Sequence, residues 1–397
     1  MQHTAGPADR QSRRDGAAYR RNAITGLTAE DKELAQRLHA VRNFGATIRV
    51  SEYHLTNACN IRCQGCWFFE FGHDTKVREL KDLSALDRFL EMEKARRITA
   101  ALLIGGEPTL VPDRVRSFTR RLKYITLSSN GLKKLPADPD FANVAVMLTL
   151  FGGGQLDDEL RAIKPGGKRF TGLFDRALEN YRNDPRANFV YAVTTRGIEH
   201  IEDTVRRIRD NGNRVTINFY SEYDTNSPIK KDGEKALLEE CLRVKRLYAD
   251  TVTSHEAHIR GVITGMTEWG SFGYHSCPSI SISHPAHAER IKNGNPTLPL
   301  FNTYNADFSS VEFCCTSGHC DGCRDSQAVY SWLMVNMDHA LSSTEALWEW
   351  VLMAESYWRQ FIWSPYHPSR LGKASAATTP EARVPGPMPA DQIPALV

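Results

Sequence analysis

The stretch RVSEYHLTNACNIRCQGCW, Arg49 to Trp67, runs from a strand-like segment directly into three cysteines at spacings of four and three residues. In a parallel α/β fold the working loops leave the carboxyl ends of the strands, so this is where such a fold would place a ligand-bearing loop. The same pattern repeats downstream. Apolar or β-branched runs recur at "ITAALLIGG", "YITLSS", "VAVMLTLFG", "FVYAVTT" and "RVTINFY", separated by amphipathic stretches such as "LKDLSALDRFLEMEKARR", "FTGLFDRALENYR" and "IEHIEDTVRRIRDNG". Six units within residues 48–220 predict a parallel sheet with right-handed crossovers.

The flanks read differently. Residues 1–27 are polar and Arg-rich without periodicity and are expected to form a disordered basic arm; residues 28–47 form a helix that opens at Thr28 and places Leu34, Leu38 and Val41 on one face. After residue 220 the alternation stops. Residues 221–339 begin with a helix carrying the isolated Cys241, a packing residue, and become loop-rich. Residues 340–370 hold an aromatic-rich helix, "STEALWEWVLMAESYWRQFIW", expected to pack on the core, and residues 371–397 form an Ala/Pro-rich tail.

Bulk properties exclude several classes. The 397 residues are 41% hydrophobic, enough for a real core, and the formal net charge of +3 is too even for a dedicated nucleic-acid binder. No stretch approaches 18 consecutive apolar residues, and the N-terminus lacks a signal-peptide core, so a cytoplasmic location is expected. Nine cysteines in a reducing compartment do not form a disulfide framework. Eight of them fall in two groups: Cys59, Cys63 and Cys66, then Cys277, Cys314, Cys315, Cys320 and Cys323.

Three thiolates can hold a metal or cluster and leave one coordination position open, as reactive sites require. A structural zinc site borrowing a distant histidine, or three unrelated thiols, would also satisfy the spacing. With "GGEPTL" at Gly105 to Leu110, however, the Cys-x3-Cys-x2-Cys run resembles the radical S-adenosylmethionine (SAM) superfamily. That resemblance implies a partial (β/α)6 TIM-like barrel over residues 48–220. It also implies a [4Fe–4S] cluster on Cys59, Cys63 and Cys66, with SAM on the open iron. Reductive cleavage of SAM would yield a 5′-deoxyadenosyl radical that abstracts hydrogen from the substrate.

The resemblance further implies that Gly105, Gly106, Glu107 and Pro108 form the loop that contacts the methionine part of SAM. Ser129 and Asn130, in "TLSSNG" at the end of the third strand, and Thr195, in "AVTTRG" at the end of the fifth, fall near the cofactor by the same mapping. Many members have an aromatic before the third cysteine; here Gly65 stands there, which leaves Trp67 or Phe68 to carry adenine.

The second cysteine group supplies enough thiols to close a site, and its chemistry fits zinc or iron–sulfur equally. Its position after the barrel resembles the auxiliary-cluster extensions called SPASM and twitch. This implies one further [4Fe–4S] cluster on Cys277, Cys315, Cys320 and Cys323, in a C-terminal auxiliary iron–sulfur extension, with Cys315 fitting better than Cys314.

The function expected is radical SAM chemistry on a small molecule, such as a sugar, aminoglycoside, nucleoside or related secondary metabolite, served by a reductant such as flavodoxin or ferredoxin. The alternatives are modification of a ribosomal peptide and, from another class, a non-catalytic metal-binding or nucleic-acid interaction protein using the N-terminal arginines. Fewer than 50 residues before the first strand weaken the peptide reading. Tyr53, Glu70, Asp157 and His275 are acid–base candidates, and no spacing singles one out as catalytic.

Overall fold

The computed structural model describes residues 18–220, 233–265, 301–312, 324–335 and 337–371. Its first helix, α1 (18–27), corrects the expectation of a disordered arm for those residues. The physical reason is an apolar edge, Ala23, Ile24 and Leu27, packed against the main core. Residues 1–17 lie outside the described residues. Helix α2 (Lys32–Ala46) starts where Asp31 accepts the Leu34 N–H at 2.9 Å, and it buries Leu34, Leu38 and Val41 as their spacing predicts.

Strand β1 (Val50–His54) leads through the cysteine loop into two single-turn helices, α3 (Trp67–Glu70) and α4 (His73–Lys76), and then α5 (Leu83–Ala95). The units that follow are β2 (Ala100–Ile104) and α6 (Pro112–Thr119), β3 (Tyr124–Ser129), β4 (Val144–Phe151) with α7 (Gly154–Arg161) and α8 (Leu173–Asn180), β5 (Ala187–Val193) with α9 (Ile201–Asp210), and β6 (Arg214–Phe219). Strands β1 to β6 are parallel and lie in sequential order, without the reversal that marks a doubly wound sheet. That is the α/β arrangement of an open, partial barrel wall, as the repeating pattern predicts.

Helices α10 (Glu234–Leu247) and α11 (Glu256–Thr264) follow, and a two-residue strand β7 (Thr303–Tyr304) adds a seventh parallel strand beside β1. Antiparallel to it runs β8 (Val311–Glu312). The last helices among the described residues are α12 (Ser326–Val335) and α13 (Thr344–Trp358). Beyond β6, Val252 bridges Val215, and Ser254 Oγ accepts the Ile217 N–H at 2.8 Å, so the edge of the sheet is covered rather than bare.

The pleat decides what faces the site. Tyr53, Leu103, Leu127, Leu148 and Phe189 are fully buried on the helix-covered face, where Tyr53 meets the Phe118 ring at 4.8 Å. The opposite face carries Leu102, Ile104, Ser128, Thr149, Val190 and Asn218, all of them only half-buried. Its inward residues therefore line a concavity rather than fill a core. Helix α13 packs on α2, as its aromatic content predicts: Arg37 forks onto Glu355, and the Trp348 indole donates to Asp31 at 2.8 Å. Phe44, Trp358 and Trp363 gather at the amino-terminal end of the sheet, where Trp363 Nε1 donates to Ile125 O at 3.1 Å.

Candidate functional site

The loop from Leu55 to Cys66 leaves the carboxyl end of β1 and is held at three places. First, the glycine loop after β2 lies against it: Gly106 N donates to Thr56 O and Glu107 N to Ala58 O, both at 2.8 Å. The approach is so close that a Cβ on Gly106 would stand 2.0 Å from Ala58 O, and Gly105 takes a φ of 113°, which favours glycine. Second, Glu79 accepts Thr56 Oγ1 and Asn57 N at 3.0 and 2.9 Å; it pairs with Arg114 at 2.8 Å, which in turn donates to Leu55 O at 2.6 Å. Third, Arg62 N and Gln64 N donate to Ile163 O and Leu160 O, each at 2.7 Å, so both neighbours of Cys63 are tied to the end of α7.

The three thiols are partly buried within this loop. Burial pushes Cys59 up to about 11 and Cys66 up to about 12, and it also raises Cys63. Both Cys59 and Cys66 also feel the Cys63 thiol. A thiolate there therefore needs positive charge at hand, and a bound cationic group reverses the penalty. Among the described residues no three His, Cys, Asp or Glu side chains converge on one point that a single ion could fill. Cysteines on an iron–sulfur cluster each bind a different iron and stand farther apart than ligands of one ion. The donor set of three sulfurs with one position left open fits a [4Fe–4S] cluster.

Gly65, between Gln64 and Cys66, has a backbone that a side chain would strain. Its φ is 65°, in the left-handed region, where a side chain costs roughly 1–2 kcal/mol. Trp67 is half-buried and packs edge-on to His73 at 5.1 Å and tilted against His54 at 5.4 Å. Burial lowers the His54 imidazole to about 3, so this ring is neutral at ordinary pH.

Glu107 is buried, and its carboxylate is engaged by the protein. Oε1 accepts Thr109 N, Thr109 Oγ1 and Ser129 Oγ at 3.0, 2.6 and 2.9 Å, while Oε2 accepts Asn130 N at 2.8 Å. Pro108 opens the 3₁₀ turn Pro108–Leu110 and is buried with Thr109. Ser129 also accepts the Gly131 N–H at 3.1 Å, which makes it part of the turn. Asn130 reaches the first cysteine: its Nδ2 lies 2.7 Å from Asn60 Oδ1 and 4.0 Å from Cys59 Sγ. Thr195 starts the 3₁₀ stretch Thr195–His200 after β5, with its methyl turned toward Gly233.

The structure thus brings Cys59, Cys63, Cys66, Gly105, Gly106, Glu107, Ser129 and Asn130 into one connected region at the ends of β1, β2 and β3. Cys277, Cys314, Cys315, Cys320, Cys323 and His275 lie outside the described residues. Tyr53 faces away from the concavity and donates to Glu93 at 2.5 Å, stacked on Tyr304. Asp157 is fully buried, accepting Phe151 N at 2.7 Å and Arg161 at 3.1 Å. Sequence reasoning passed over Arg161. Its one signal there was the i, i+4 spacing from Asp157, which exposed pairs share.

No protein-family model matches the chain, and no curated protein matches it. Solved structures do. Native anSMEcpe with bound AdoMet is similar at 16% identity and a TM-score of 0.40, over 54% of this chain and 67% of that one. A polyhistidine-tagged form of anSMEcpe with bound AdoMet matches at 16% and 0.40, over 58% and 66%. HydG, a maturase of the [FeFe]-hydrogenase, matches at 11% and 0.35, over 58% and 57%. The chain thus spans about two thirds or less of each of these proteins. Among the described residues no helix is long and apolar enough to cross a membrane.

Proposed function

We propose that this chain is a radical SAM enzyme in which Cys59, Cys63 and Cys66 hold a [4Fe–4S] cluster. The observation that carries the reading is the backbone pairing of Gly106 and Glu107 with Thr56 and Ala58, immediately before Cys59. It joins a glycine loop to a three-thiol loop so closely that one cannot move without the other. With SAM on the open iron, the group supplies a carbon radical able to take hydrogen from an unactivated C–H bond.

The chain's own part is placement. The glycine backbone brings the β2 loop against the cysteine loop, and the Glu107 carboxylate fixes the β3 loop so that Asn130 stands beside Cys59. Trp67, on the half-buried side of the aromatic group, offers a flat surface for adenine. Thr195 and Pro108 complete the rim in this proposal.

The substrate belongs against the inward face of the sheet. Ser128, Thr149 and Asn218 offer neutral hydrogen-bonding groups there among Leu102, Ile104 and Val190, which suits a neutral, hydroxyl- or amide-bearing small molecule such as a sugar or nucleoside. Cys277, Cys315, Cys320 and Cys323 are proposed to hold a second [4Fe–4S] cluster, and a flavodoxin or ferredoxin to deliver the electron. Iron and sulfide counting on anaerobically reconstituted protein tests both clusters: about eight irons should fall to about four when Cys59, Cys63 and Cys66 are all changed to alanine. Reduced, cluster-loaded protein that forms no 5′-deoxyadenosine from SAM would overturn the reading.

A further inference from the structure

The end of α7 carries a buried charge that the placement of SAM does not use. Arg161 is 2% exposed and Asp157 is 0% exposed, with Nη1 and Oδ1 3.1 Å apart. Burying such a pair costs several kcal/mol per ion unless its remaining polar atoms are met, so a one-to-one pair alone explains the arrangement poorly. Arg161 Nε and Asp157 Oδ2 are both buried without a hydrogen-bond partner. The guanidinium also lies 5.2 Å from the Phe151 ring centroid, which encloses it on that side.

On its other side lies Cys63, where the positive charge of the guanidinium favours the thiolate. The two backbone bonds that tie Arg62 and Gln64 to Ile163 and Leu160 bracket this contact, so the cysteine is delivered to the arginine by the fold. Asp157 accepts Phe151 N at 2.7 Å as well, which anchors the pair to the end of β4.

We propose that Arg161, held by Asp157, is a positioning residue that keeps a fixed positive charge on the Cys63 sulfur and so raises the reduction potential of the cluster on the first cysteine group. This inference rests on the cluster reading above. On reduction the cluster gains one electron and one negative charge, so a cation at a ligand sulfur stabilises the reduced form more than the oxidised form. Lysine keeps the charge but not the fork geometry. Replacing both members of the pair removes the charges together and avoids leaving one of them buried alone.

The test is an EPR-monitored redox titration of the anaerobically reconstituted full chain, following the reduced-cluster signal that disappears in Cys63→Ser. Wild type is compared with Arg161→Lys and with the double variant Asp157→Asn/Arg161→Gln, and iron content is measured on each. The double variant should shift the midpoint to more negative potential at unchanged iron content, with Arg161→Lys between it and wild type. A cluster-loaded double variant with the wild-type midpoint would overturn the inference while leaving the cluster reading intact. Should the double variant fail to take up iron, a wild-type midpoint and line shape in Arg161→Lys would overturn it, because loss of the fork should move both. Wild type that binds no cluster through Cys63 would overturn the cluster reading and the inference together.

Discussion

Glu107 Oε2 accepts the backbone N–H of Asn130 at 2.8 Å, joining the loop after β2 to the loop after β3 beneath the cysteines. Because Oε1 accepts three further donors, the carboxylate is a four-way joint. Glutamine cannot replace it. An amide NH2 placed toward Asn130 N, or toward Thr109 N, sets donor against donor, and a buried unsatisfied N–H costs about 1–3 kcal/mol. Glu107→Gln should therefore lower stability by that amount in urea denaturation and loosen Asn130 from Cys59. Unchanged stability would show that the loops are held by other contacts.

Gly106 offers a sharper test of the same region. A Cβ there would lie 2.0 Å from Ala58 O and 2.5 Å from Ala58 C, both backbone atoms that cannot swing aside. Gly106→Ala must displace the segment entering Cys59, at a cost of about 1–3 kcal/mol for an overpacked site. Iron uptake on reconstitution should fall well below wild type while the far-ultraviolet circular dichroism stays native. Gly166→Ala is the control, since nothing lies within 4 Å of its Cβ position. Equal iron uptake by the two variants would count against the loop pairing as a determinant of the site.

The contrast between cysteines and arginine shows what was legible in the sequence. The thiols of Cys59, Cys63 and Cys66 sit on one short loop, so spacing alone brings them together, and long apolar runs such as "VAVMLTLF" announce a strand buried on both faces. The end of α7 that carries Arg161 meets the Cys63 loop from nearly a hundred residues away, and the pattern that places Arg161 four residues after Asp157 does not say that the pair is buried. Strand β7 is only two residues long, too short to carry a period, so its pairing with β1 could not be read. Helix α1 escaped because Ile24 and Leu27 are only a narrow apolar edge in a polar stretch, and docking on the core stabilises it. Tyr53 was misplaced among the acid–base candidates for a related reason: strand position gives a residue's face only once the register is known.

Tyr53→Phe should therefore spare the chemistry. The ring sits in the helix-facing core, 6.0 Å from Phe89 and 5.6 Å from Tyr304, and its hydroxyl donates to Glu93, which Arg96 and Tyr304 also meet. Loss of one hydrogen bond to a charged group costs about 1.5–3 kcal/mol, seen as a lower urea midpoint. The rate of 5′-deoxyadenosine formation per cluster should match wild type. A rate loss of tenfold or more with the cluster retained would return Tyr53 to the reaction.

Glu52 is the inward-facing carboxylate on β1, 7% exposed, and its ionisation should set part of the stability profile. Burial, with the Asp325 carboxylate adding to it, pushes its pKa up to about 8. His54, whose Nε2 is 3.9 Å away, gives little relief because burial keeps that ring neutral above about 3. The folded chain thus holds a proton on Glu52 that the unfolded chain releases above about 4.3. The contribution to stability is complete below that value and declines by about 1.4 kcal/mol per pH unit until the folded group itself ionises near 8. Glu52→Gln keeps a neutral side chain of the same shape and should remove this decline. Urea denaturation at several pH values between 5 and 8 should show the variant gaining on wild type by a few kcal/mol as pH rises. Groups remote from Glu52 titrate alike in both proteins, so the difference between the two curves reports Glu52 together with its coupled neighbour Asp325. Parallel curves would mean that Glu52 is ionised in the fold at neutral pH.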